Sequence, residues 1–159
     1  MATELEIYKD VRKWLLSLHP NTTIVQGYQN NVAVPLDGIV MTILFFTDLD
    51  QLSTHYDGAT SELTIFESEQ IKMQIDFYGS EATNRAVKTG VMFKSLLTTN
   101  SMESIQPLFC SRPRNMTYVN NASQYEKRYM LELELQHNPS YKQTVDSSIE
   151  IPTLEIEGL

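Results

Sequence analysis

Residues 39–46, Ile-Val-Met-Thr-Ile-Leu-Phe-Phe, are apolar at nearly every position, so both alternating faces of the segment are hydrophobic. The enrichment in β-branched and aromatic residues predicts a strand. A strand that is apolar on both faces is typical of one covered on both sides. We therefore expect a helix layer against one face and a partner subunit against the other.

Two further segments alternate apolar and polar residues, which is the pattern of a half-buried strand. In residues 63–78 the apolar face is interrupted by Glu67 and Glu69. This interruption predicts that the middle of the strand leaves the body of the protein and meets solvent. Residues 124–137 form the most regular alternation. Their expected apolar face comprises Tyr125, Tyr129, Leu131, Leu133 and Leu135.

Two segments carry apolar residues at helical spacing. Residues 3–18 predict an amphipathic helix with Thr3 as the N-cap, and residues 81–98 predict a second helix capped by Ser80. The first helix should bury Ile7, Tyr8, Val11, Trp14, Leu15 and Leu18. The second should bury Ala82, Ala86, Val87, Gly90, Phe93, Leu96 and Leu97.

The remaining segments are less regular. Residues 22–28 are rich in β-branched types and predict a strand, while the polar residues 47–62 predict a long loop or an extended hairpin arm. Residues 99–123 are expected to be irregular. Within them we predict a short buried turn at 107–110 and a short strand at 116–119. Beyond Pro139 the chain is expected to be an extended tail.

The order of these elements defines the fold class. Adjacent strands with few crossovers favour an α+β fold, in which a mixed, mostly antiparallel sheet is flanked by two helices on one face. A chain of 159 residues has the size of one domain. We predict a single α+β domain over residues 1–143 and an extended C-terminal arm over residues 144–159.

Composition limits the classes of partner. The formal net charge is −8, and the 12 basic residues are scattered, which disfavours a nucleic-acid-binding surface. No run of about 18 apolar residues is present, so we expect no membrane partner. The acidic N-terminus lacks a signal-peptide pattern. Cys110 is the single cysteine, which fits synthesis in a reducing cytoplasm.

The sequence contains little that indicates catalysis. His55 lies near three aspartates at positions 48, 50 and 57, but their order differs from that of a calcium loop, and a solvated acidic loop is the preferred interpretation. Cys110 beside Phe109 is typical of a small buried hydrophobe, although a hydrolase with a cysteine nucleophile stays an alternative hypothesis. No phosphate-binding glycine pattern is present. We predict no enzyme, no cofactor and no metal.

Four segments resemble one family, the phage neck proteins of the tail-terminator type. They are residues 26–30 with 40–43, residues 74–79, residues 106–110 and residues 124–129. The box Gln-Ile-Asp-Phe-Tyr-Gly at 74–79 is the most specific of them, and the resemblance extends over about residues 24–137. The family often carries Trp where Tyr129 stands and Tyr where Phe109 stands, and both changes keep an aromatic ring.

The resemblance implies a structural virion protein without catalytic residues. Such proteins form a ring, usually a hexamer, at the head-proximal end of the tail. The ring ends polymerisation of the tail tube and joins the tail to the head connector, and genomic DNA passes through its hole. The alternative is a head-completion or connector protein directly below the portal. The implied partners are further copies of the chain, the tail tube protein and the connector protein.

The protein is therefore expected in the virion neck after synthesis in the host cytoplasm. The candidate interface residues lie in the apolar strand, the polar arm, the acidic interruption and the tail. They are Ile43, Phe46, Asp48, Asp50, His55, Tyr56, Asp57, Glu67, Glu69, Ile149, Ile151 and Leu154.

Overall fold

The structure, a computed structural model, describes residues 4–145 of the chain. The described helices are α1 (Glu4–Leu18), α2 (Ala82–Phe93) and α3 (Leu96–Ser101). The first strands are β1 (Ile24–Gln26), β2 (Gly38–Asp48), β3 (Ser53–Asp57), β4 (Glu62–Phe66) and β5 (Glu69–Tyr78). The later strands are β6 (Ile105–Cys110), β7 (Arg114–Asn115), β8 (Tyr118–Val119), β9 (Tyr125–Glu126), β10 (Arg128–His137) and β11 (Ser140–Thr144).

The body of the protein is built on a sheet with the strand order β1-β2-β5-β10-β6, and β7 pairs with one end of β10. Every pairing in this sheet is antiparallel except that of β1 with β2. Helices α1 and α2 pack on one face, and their apolar stripes join the sheet in a single core. The predicted α+β class and the mixed, mostly antiparallel sheet are thus confirmed.

The core follows the alternation of the sequence. Residues with odd numbers from Ile71 to Phe77 in β5, and from Leu131 to Leu135 in β10, point toward the helices and are fully buried. From α1, Trp14 meets Phe93 of α2 edge-to-face at 5.7 Å and donates its indole N–H to Thr98 Oγ1. The predicted buried stripe of the first helix is confirmed except at Leu18, which is only partly buried. The predicted cap, Thr3, lies outside the described residues.

The opposite face of the body sheet is polar. Asp76 is buried there and accepts two hydrogen bonds from Arg128, at 2.9 and 3.0 Å, and a third from Gln74. Lys72 and Glu132 form an ion pair beside them. In the first half of β2, Val40 and Thr42 are already buried on this face within the single chain. The expectation that a partner covers the outer face of residues 39–46 therefore stays a prediction for the second half of the strand.

Beyond the body, β3, β4 and β11 form a three-stranded sheet in the order β11-β4-β3, here called the arm. Each arm strand adjoins a body strand in the chain: β2 leads to β3, β4 leads to β5, and β10 leads to β11. The predicted hairpin arm is confirmed. The predicted single strand at 63–78 is two strands in different sheets, and Ser140–Thr144 is an arm strand rather than a free tail.

The second predicted helix is interrupted at Lys94, after which α3 begins. The interruption turns Leu96 and Leu97 to solvent, and Val87 is also exposed, so their predicted burial is wrong. Ser80 is not the cap, because the helix begins after Glu81, which follows a turn at Gly79. Gly79 has φ +105°, a conformation that side chains rarely adopt, and Asp37 fills the space beside it.

Two further expectations differ from the structure at the other edge of the sheet. Residues 107–110 belong to the edge strand β6 and not to a buried turn, and an edge is where a sheet tolerates a proline such as Pro107. Tyr125 is 81% exposed and not on the apolar face, because the chain changes strand at Lys127 and β9 pairs with β8 instead.

Candidate assembly surface

The second half of β2 exposes a group of large apolar side chains. The register of β2 against β5 shifts between Ile43 and Phe45, so Leu44 is an extra residue at a bulge. After the bulge, Phe45 and Phe46 are 52% and 48% exposed, although the same strand is buried from Ile39 to Met41. Bulges bend a strand and change where its side chains point. The exposed end of β2 therefore carries apolar surface that the body does not cover.

The arm has one apolar face and one polar face. Paired residues of neighbouring strands lie on the same side of a sheet. The register thus places Tyr56 of β3 beside Leu63 of β4, and Tyr141 of β11 beside Ile65 of β4. Among the described residues no helix packs substantially against the arm. The apolar face of the arm is defined as Tyr56, Leu63, Ile65 and Tyr141, and it lacks the layer that normally covers such a face.

Carboxylates concentrate at the junction of the body and the arm. Glu67 hydrogen-bonds to Asp48, and this contact, together with the charges of Asp48 and Glu69, raises the pKa of Glu67 above its usual value of 4.5. Glu69 opposes Asp48 on one side and His137 on the other, and its Oε1 lies 2.8 Å from His137 Nδ1. The junction therefore places several negative charges side by side at neutral pH.

The structure does not bring all of the predicted interface residues together. Asp48, Glu67 and Glu69 meet at the junction, and Phe46 is exposed beside them. His55, Tyr56 and Asp57 lie on β3, where Asp57 accepts a hydrogen bond from the amide of Ala59 in the turn. Asp50 is exposed in the link between β2 and β3. Ile43 is partly buried against the core. Ile149, Ile151 and Leu154 lie outside the described residues.

Several exposed apolar residues near the junction are not among the predicted interface residues. Leu44, Phe45, Leu49, Leu52, Phe66 and Tyr141 are all well exposed. Leu49 and Leu52 flank polar residues in a segment that was predicted to be a polar arm, and their presence there was the available signal. The exposure of Phe45 depends on the bulge, which no local pattern in the sequence indicates.

The described residues contain no three His, Cys, Asp or Glu side chains arranged to hold a metal ion. Burial raises the pKa of the Cys110 thiol to about 11, which opposes formation of the thiolate that a nucleophile needs. No helix in residues 4–145 has both the length and the apolar character to cross a membrane. The main candidate for a functional site is therefore the uncovered apolar face of the arm.

Exposed apolar surface of this kind is typical of a protein that contacts other proteins. The chain belongs to the family described as phage neck terminator protein, which it matches over residues 5–158. The resemblance carried by residues 74–79 and the other three segments is thus confirmed. The family is structural and not enzymatic, and its members associate with other proteins of the phage head and tail. A search of curated proteins found no significant match.

Proposed function

We propose that copies of this chain form a ring, with six copies expected, at the head-proximal end of the phage tail. The ring ends polymerisation of the tail tube and joins the tail to the head connector. The observation that carries this proposal is the uncovered apolar face of the arm, which projects from a body whose own core is complete. In the virion, the tube protein or the connector protein covers that face.

Energetics support a bound arm. A small isolated sheet with one hydrophobic face has marginal stability in water unless another layer covers that face. Each Å² of apolar area that a contact buries stabilises it by about 25 cal/mol. Aromatic residues such as Tyr56 and Tyr141 are enriched at the centres of interfaces. Phe45 and Phe46 extend the same kind of surface back to the body.

The charge of the protein suits a wall around DNA. A net charge of −8 repels phosphates, so DNA can pass through the hole of the ring without being held. In this role the protein is made in the host cytoplasm and then takes its place in the neck of the virion.

The test is complementation of a phage that lacks the gene for this protein. A Tyr56→Ser/Tyr141→Ser variant removes two rings from the apolar face of the arm. A Thr64→Ser/Lys142→Ser variant changes two paired positions on the opposite face of the same sheet. We expect tails of uncontrolled length, unattached to heads, with the first variant, and normal virions with the second.

Two results would overturn the proposal. One is the finding of head-joined tails of normal length in particles without the protein. The other is localisation of the protein in a virion map directly below the portal and away from the tube, which would identify a head-completion protein instead.

A further inference from the structure

A cavity of about 330 Å³ lies at the β1 edge of the body sheet, between α1 and β1. Leu5, Ile24, Val32 and Met41 give it an apolar wall, and Lys9 and Arg12 of α1 contribute cations. None of the described residues that line it is acidic. Its volume lies within the range of about 300–1,000 Å³ that is typical of ligand sites. In a protein of net charge −8, this combination of apolar wall and positive charge selects an acidic apolar occupant.

The strand β1 is at the edge of the body sheet, so among the described residues no strand lies on its outer side. The edge strand β1 pairs with β2 over only three residues, Ile24 to Gln26. Arg12 Nε lies 3.4 Å from the carbonyl oxygen of Ile24, and Tyr8 accepts a hydrogen bond from the amide of Ile43. Side chains thus take the place of a neighbouring strand at this edge. An extended segment can add to a sheet edge through main-chain hydrogen bonds, with side-chain pockets giving specificity.

The C-terminal segment, residues 146–159, has the chemistry that the cavity selects. It contains four acidic residues and no basic residue. Its apolar residues alternate with polar ones around Pro152, as in Ile149-Glu150-Ile151. In an extended segment, Ile149 and Ile151 share one face and Glu150 takes the other. The two isoleucines can fill the cavity while Glu150 approaches the cations of α1.

The starting point of this segment decides which copy it can reach. Val145 lies at the tip of the arm, where its amide donates to the carbonyl oxygen of Ser61. Met41 to Asp48 spans about 23 Å and Ser53 to Asp57 about 13 Å more, at roughly 3.3 Å per residue. If the arm bends at a right angle to the body, the distance from Met41 at the cavity to the tip of the arm is still about 26 Å. Ile151 lies six residues beyond Val145 and reaches at most about 21 Å, so the cavity of its own chain is too far.

We propose that the cavity at the β1 edge binds the C-terminal segment of a second copy of this chain, with Ile149 and Ile151 in the cavity and Glu150 toward Lys9 and Arg12. This inference rests on the self-association put forward above and locates one of its contacts. A contact between two different surfaces of identical chains is head-to-tail, and such contacts close into rings when the rotation between copies allows it.

Binding of a fluorescent peptide of residues 146–159 to the full-length protein tests the site directly, because it does not require the ring to form. We expect saturable binding, weakened about tenfold or more by Lys9→Glu/Arg12→Glu in the protein and by Ile149→Ser/Ile151→Ser in the peptide. Lys13→Glu is the matched control on the same helix, since Lys13 faces Glu103 and lies outside the cavity. Equal binding to both protein variants, or no saturable binding to the wild-type protein, overturns the proposal.

Disulfide capture separates the two copies. Leu5→Cys and Ile151→Cys are made on separate chains, one of them tagged, and mixed under mild oxidation. We expect a mixed dimer from this pair and none when Val91→Cys, an exposed position on α2, replaces Leu5→Cys. Equal capture by both pairs counts against the site. Failure of these tests while the arm variants still lose normal tails would reject this contact and leave the proposed function standing.

Discussion

His137 and Glu69 are directly opposite each other in β10 and β5, with Nδ1 and Oε1 2.8 Å apart. They form the last residue pair of the body sheet before the chain enters the arm. His137 is buried, and its Nε2 has no hydrogen-bond partner among the described residues. Among the described residues, the contact with Glu69 is therefore the hydrogen bond that the buried His137 ring makes at the base of the arm.

Glu69→Ala is expected to lower the free energy of unfolding by about 1–3 kcal/mol, because it leaves a buried polar ring without its partner. Glu69→Gln keeps an acceptor oxygen at the same position and should cost less than half as much. Urea denaturation followed by circular dichroism measures both. Equal losses for the two variants would show that the negative charge of Glu69 matters more than the hydrogen bond.

Phe46→Asp is expected to leave the free energy of unfolding within about 1 kcal/mol of the wild-type value, since Phe46 is half exposed in the single chain, but to abolish complementation in phage. Ile43→Asp should instead unfold the protein, because it places a charge against the core. Val87→Asp, at an equally exposed position on α2, is the control and should complement. Complementation by Phe46→Asp would remove β2 from the interface.

The parts of the fold that were predictable are those fixed by local periodicity. The stripe of α1 and the alternation of β5 and β10 bury the residues that their spacing predicts, except that Leu18 and Tyr129 are only partly buried, because each element meets one continuous core. The division of residues 63–78 was not predictable. Leu63, Ile65 and Ile71 all fall on odd-numbered positions of one continuous alternation. The pattern therefore does not show that the first two lie in the arm and the third in the body sheet.

The candidate surface was less predictable than the fold. Apolar side chains at Leu44 to Phe46 have the same pattern whether a helix or solvent lies beside them, and the bulge that exposes them is a tertiary feature. Likewise, Leu96 and Leu97 continue the helical spacing of α2, yet the interruption at Lys94 turns them outward. The acidic interruption at Glu67 and Glu69, in contrast, did mark the start of the arm.

Glu67 is expected to titrate above 4.5, because its hydrogen bond to Asp48 and the neighbouring negative charges favour the protonated acid. A raised pKa in an acid means that ionising it opposes the folded arrangement. This opposition is present above the pKa of the folded state and is relieved as the pH falls through it. Carbon NMR of labelled Glu67 measures the midpoint. Asp48→Asn should lower it, and an unchanged midpoint in that variant would contradict the pairing.

Cys110 is expected to react slowly with thiol reagents in the native protein. With a pKa of about 11, its thiolate fraction at pH 8 is roughly two hundred times smaller than that of a free cysteine, and the side chain is also buried. A colorimetric thiol assay should show slow labelling that becomes rapid in denaturant. Rapid labelling without denaturant would restore the hypothesis of a cysteine hydrolase.

His19 gives the protein a pH dependence that belongs to the body and not to the arm. Its Nε2 lies 2.8 Å from Thr89 Oγ1, and because the Thr89 hydroxyl donates to the carbonyl oxygen of Arg85, the imidazole is the donor in this contact. Burial, with the charges of Lys88 and Arg85, lowers the pKa of His19 to about 4. The folded protein therefore holds His19 neutral at pH values where the unfolded chain protonates it.

The sign of the effect follows from that difference. The unfolded chain takes up a proton near pH 6.5 and the folded protein near pH 4, so stability is full above pH 6.5 and declines as the pH falls between these values. Between pH 7 and pH 5 the loss from His19 is about 2 kcal/mol, from about 1.4 kcal/mol per pH unit. His19→Gln keeps a donor for Thr89 and removes the titration, so urea denaturation at the two pH values should show a loss smaller by that amount. An equal loss in the variant would mean that His19 is protonated alike in the folded and unfolded states.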